Sequence, residues 1–166
     1  MLPTSVPNFQ QLTERLLGHL RQEELLLRTS KECLLGVHDA LRQGDLNALQ
    51  VAQPHQEKLA ADLRGASEQR ATAATAISQS LGLSGGNVTL SELADRLSPT
   101  LARQLRDARE SMRDALADVV ELQRANANLV QTLRSYFSGV LSGLSSADAP
   151  ASTRYGPTGG RLQTVG

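Results

Sequence analysis

Aromatic side chains are nearly absent from this sequence: two Phe, two Tyr and no Trp make up 2% of 166 residues. A core assembled without them rests on Leu and Ala, which favours helices packed side by side over strand sandwiches built from Val, Ile, Tyr and Phe. Cysteine is as scarce. Cys33 stands alone, which excludes an internal disulfide and any paired-thiol metal or redox motif, and fits a reducing compartment. Net charge is absent too, with 17 Lys+Arg against 17 Asp+Glu, so no overall field draws the chain to nucleic acid or an anionic membrane. No run of about 18 apolar residues offers stable membrane insertion. The N-terminal MLPTSVPNFQ lacks the basic start and apolar stretch of a secretory signal, and the expected address is the cytoplasm.

Catalytic signals are equally thin. His19, His38 and His55 are scattered, and His19 with Glu23 one turn away makes two potential ligands without a convergent third. The glycine clusters GLSGG and TGG lack the lysine and the strand-to-helix setting of a phosphate loop. Arginines along the last third of the chain alternate with carboxylates and have no aromatics for base stacking. The composition points to a non-enzymatic protein without metal or cofactor, and away from nucleic acid.

What is present is helical periodicity. Phe9, Leu12, Leu16, Leu20, Leu27, Leu34, Val37 and Leu41 recur at three- and four-residue steps, predicting a helix over 8–43, about 50 Å long. The QGD at 43–45 supplies a glycine stop and an aspartate cap, so a helical hairpin follows. A second helix is expected over 46–81, with a kink or short break near Ala52 imposed by Pro54. After the loop GLSGGNV, Thr89 and Glu92 form a capping box for a short helix over 90–97. Ser98 and Pro99 then start a long helix. Its seam runs through Leu101, Leu105, Ala108, Met112, Ala115, Val119, Leu122, Asn126, Leu129, Leu133, Tyr136, Val140 and Leu144.

That last helix changes character halfway. Ten residues are charged between Pro99 and Arg124, but only Arg134 between Ala125 and Ala147. In the second half another apolar stripe, Val130, Phe137, Leu141 and Leu144, joins the seam. One stripe is expected to pack on the bundle and the other to need a partner, in the manner of a groove that accepts an amphipathic helix. The alternative is that the first two helices cover both. Asn126, where the seam calls for Leu, is expected to fix register. Beyond Leu144 the chain turns to Ser, Ala, Pro, Gly and Thr, the composition of a disordered tail. Within it Tyr155 stands out as a large side chain with no element to pack in.

Taken in order, EELLLRTSKECLLGVHDAL, GDLNAL, EKLAADLRGASEQR, LQRANANLV and the tail YGPTG resemble the FlgN family of flagellar type III export chaperones over nearly the whole chain. The resemblance implies a chaperone for the C-terminal helical segments of the hook–filament junction proteins FlgK and FlgL. It places client binding on Leu129, Val130, Leu133, Tyr136, Phe137, Val140, Leu141 and Leu144. It also implies docking of Tyr155 and Gly156 on the cytoplasmic domain of the export gate protein FlhA, which would make the tyrosine an anchor on a tether. The expected architecture is an all-α, antiparallel up-and-down bundle of three long helices with one short helix over 1–145, and a disordered C-terminal tail over 146–166. A monomer or weak dimer is expected. The competing reading is a coiled-coil scaffold or oligomerisation module that pairs the same stripe with itself.

Overall fold

Three helices, α1 (Phe9–Gln43), α2 (Leu46–Ser80) and α3 (Pro99–Ala147), carry almost all of the described chain. The computed structural model describes residues 9–82, 89, 95 and 97–147, without the side chains of 145–147. Among the described residues there is no strand. Of the short helix expected over 90–97 and its Thr89–Glu92 capping box, only Thr89, Asp95 and Leu97 are described: Thr89 is exposed and in no regular element, Asp95 is in a turn and Leu97 in a bend, and the rest, Glu92 included, lies outside the described residues.

The helix ends follow the local chemistry. Gly44 adopts φ +68, which costs a residue without Cβ nothing, and the Asp45 N–H donates to the Ala40 carbonyl at 2.9 Å in the six-to-one closure of a glycine C-cap. Asp45 then turns round: its carboxylate accepts from the Ala48 N–H at 3.0 Å and starts α2. Ser98 starts α3, its carbonyl accepting from the Ala102 N–H at 2.9 Å. Of the kink or short break expected near Ala52, the break is absent: α2 runs through Pro54 without interruption. Both Pro54 and Gln50, whose carbonyl loses its usual donor, are exposed, so water satisfies the orphaned acceptor at little cost.

The chain divides into two compact units, Met1–Val130 and Gln131–Gly166. In the first, Leu12, Leu16, Leu17 and Leu20 of α1 meet Ile77 of α2 and Ala102, Leu105 and Ala108 of α3. A second cluster joins Leu27 and Leu34 to Ala115 and Val119, with Leu63 of α2 against it. Contacts from α1 to α2 pass from Leu12 and Ile77 through Glu23 and Arg70 to Leu27 and Leu63, so the two helices are antiparallel. Those from α1 to α3 rise together instead. Lys31 pairs with Asp118 at an offset of 87, and His38 meets Asn126 at an offset of 88. By that register Gln43, the last residue of α1, falls level with Val130.

Polar contacts pin this register at three heights. Glu23, buried, accepts from the Arg70 Nε–H at 2.6 Å, and Arg70 also reaches the Ser67 hydroxyl. Glu24 accepts from the Ser111 hydroxyl at 2.6 Å and from Arg28 at 2.9 Å. Buried Asn126 donates through Nδ2 to the Leu34 carbonyl at 3.0 Å, while its Oδ1 lies 2.8 Å from His38 Nδ1. With the amide so oriented, Nδ1 of His38 is the protonated nitrogen. Removing the amide leaves a half-buried imidazole without its acceptor, so Asn126→Ala is expected to cost about 1–3 kcal/mol in urea unfolding; an unchanged midpoint would show that the pair contributes nothing.

The Ser111 hydroxyl holds the Glu24 carboxyl below its ordinary value; burial opposes this shift and Arg28 adds to it. A carboxyl lowered in the folded state stabilises fully above its unfolded pKa, about 4.3, and loses that contribution as pH falls through the folded value. As pH falls from the ordinary carboxylate range through the folded value, the native chain should therefore lose more stability than Glu24→Gln. Parallel acid titrations followed by circular dichroism would contradict this assignment if the two curves coincide.

Candidate functional site

The three- and four-residue step that puts Leu105, Ala108, Ala115 and Val119 in the core runs on along α3 through Leu133, Tyr136, Val140 and Leu144. Within the second unit the burial stops. Leu133 is half-buried, and Tyr136, Phe137, Val140, Leu141 and Leu144 are exposed, with Phe137 at 60% and Leu141 at 64%. The sequence pattern had one stripe packed and the other free. Instead Tyr136, Val140 and Leu144 of the first stripe are exposed along with Phe137 and Leu141 of the second.

At 100° per residue these six side chains span an arc about 140° wide, as broad as a stripe that normally faces a core. Tyr136 and Phe137 meet edge to face, ring centroids 5.8 Å apart, which gives the arc an aromatic centre. Of the other residues assigned to client binding, Leu129 and Val130 belong to the first unit, Leu129 half-buried and Val130 40% exposed. Asn126 is buried and engaged with α1. Tyr155 and Gly156 lie outside the described residues.

The borders of the arc differ. Arg134, exposed, lies on its Val130–Phe137–Leu141 side. Gly139 and Gly143 lie along the Tyr136–Val140 side, and a Cβ built on either would meet no atom within 4 Å. Elsewhere the exposed large apolar residues Leu25, Leu35, Leu46, Val51 and Leu116 are spread over three helices, which is ordinary for a protein surface.

Other features of the first unit have structural work. Arg28, Lys31, Ser111, Asp114, Ala115 and Asp118 line a surface cavity of about 140 Å³, where Lys31 already pairs with Asp118 at 2.7 Å. Burial pushes the Cys33 thiol up, away from the thiolate a nucleophile needs. Among the described residues no three His, Cys, Asp or Glu converge as a metal site, and no helix is long and apolar enough to cross a membrane. The sequence pattern did not foretell the pairing of Glu23 with Arg70 or of His38 with Asn126, since neither leaves a local signal across 47 and 88 residues.

No curated protein and no solved structure matches the chain. The family model described as FlgN protein matches residues 2–163. With nearly its whole length inside that match, the chain belongs to the FlgN family, a family of flagellar export chaperones.

Proposed function

We propose that the exposed apolar face of α3 receives the C-terminal helical segments of the hook–filament junction proteins FlgK and FlgL in the cytoplasm. Bound there, a segment is kept from premature association until export. The observation that carries this reading is the exposure of Tyr136, Phe137, Val140, Leu141 and Leu144 in one arc of one helix. Leu133 belongs to the same arc, and the family resemblance assigns Leu129 and Val130 to the client as well. Covering five such side chains is worth about 1.5–3 kcal/mol each, and ordering a flexible client takes back about 2–5 kcal/mol. The remainder, about 2.5–13 kcal/mol before the rigid-body cost of association, brackets the about 8 kcal/mol that micromolar affinity requires.

Asn126 sets the register of α3 against α1 in this reading and does not touch the client. Tyr155 with Gly156 delivers the loaded chaperone to the cytoplasmic domain of the export gate protein FlhA: a tyrosine buys a large contact area with few rotatable bonds. The activity is binding alone, without a cofactor, by a monomer or weak dimer. Self-pairing of the same face, as in a scaffold, would appear as concentration-dependent sedimentation and indifference to client peptide.

Leu141→Asp is expected to weaken binding of a junction-protein C-terminal peptide by at least about ten-fold while leaving thermal unfolding unchanged. Leu133→Asp, at a half-buried position, should lower both. Calorimetric titration and melting of the two variants decide it, and equal destabilisation would place Leu141 in the core. Tyr155→Ala should keep helicity and client affinity but weaken binding to the gate domain by about ten-fold. Loss of client binding in that variant would contradict the division of labour.

A further inference from the structure

Arg134 is the only charged residue between Ala125 and Ala147. It is exposed, and no hydrogen bond or ion pair joins it to another described residue. Its neighbours one and two turns along the helix are Phe137 and Leu141, so its aliphatic stem extends the apolar arc and its guanidinium ends at the rim. The opposite border, at Thr132, Gly139 and Gly143, has no charge at all. A guest helix lying on the arc therefore meets a cation along one flank and none along the other.

We propose that the guest is an amphipathic helix with a carboxylate beside its apolar stripe, and that Arg134 pairs with this carboxylate and so decides which flank of the guest lies against Phe137 and Leu141. This rests on the reading of the arc as a client site. The planar guanidinium suits a carboxylate in two-pronged geometry, and a rim charge of this kind discriminates between orientations and partners more than it adds affinity. A guest with a lysine in the same place would leave two like charges facing each other as water is displaced.

The test uses the full-length chain and synthetic C-terminal segments of FlgK and FlgL, titrated at low salt. Arg134→Glu should weaken binding by about five-fold. One acid-to-lysine replacement beside the apolar stripe of the peptide should restore affinity for Arg134→Glu and lower it for the native chain. Equal affinity of native chain and Arg134→Glu, with Leu141→Asp still abolishing binding, would overturn the pairing and leave the client site standing. Failure of the native chain to bind either segment would overturn both.

Discussion

Unequal helix length is the constraint on which the structure turns. α1 and α2 are 35 residues each and α3 is 49, yet the apolar step of α3 does not weaken toward its end. Leu and Ala side chains pack well only against another helix, and a helix supplies cover only as far as it reaches. The offset that aligns Lys31 with Asp118 and His38 with Asn126 fixes that reach. Slide α1 by one turn and the polar contacts at Glu24, Lys31 and His38 are lost together, so the limit of cover is held by hydrogen bonds as much as by packing.

The same division governs stability. The buried apolar residues Leu12 to Val119 lie in the first unit, with Leu16 and Leu20 fully enclosed. From Gln131 onward α3 carries Gly139 and Gly143, each costing about 1 kcal/mol against alanine in a helix, together with several serines. A stretch of this length and composition is marginal as an isolated helix in water. In the proposed reading a bound guest supplies the tertiary packing that this stretch lacks, coupling order in the chaperone to order in the client.

Much of the fold was legible in the sequence because helix ends are written locally. Gly44 and Asp45 at the hairpin and Ser98 before Pro99 act where the pattern put them. No break occurs in α2 at Pro54, because the freed carbonyl of Gln50 reaches water, which is a property of exposure and not of spacing. The apolar surplus near Phe137 was visible as a change in composition. The exposure of Tyr136, Val140 and Leu144 with it was not, since a seam residue looks the same whether or not a helix lies opposite. His38 looked like a stray histidine and Glu23 like an incomplete ligand, because their partners lie 88 and 47 residues away. Tyr155 lies outside the described residues, and the docking role proposed for it rests on the family resemblance alone.

Hydrogen–deuterium exchange along α3, with and without a junction-protein C-terminal segment, tests most directly whether the free face is a guest site. In the unbound chain the amides from Gln131 to Leu144 should exchange fast while those around Leu105 and Val119 stay protected. Saturating client should slow the first group and leave the second unchanged. Protection arising only in α1 and α2, or none between Gln131 and Leu144, would contradict the assignment of that face to client binding.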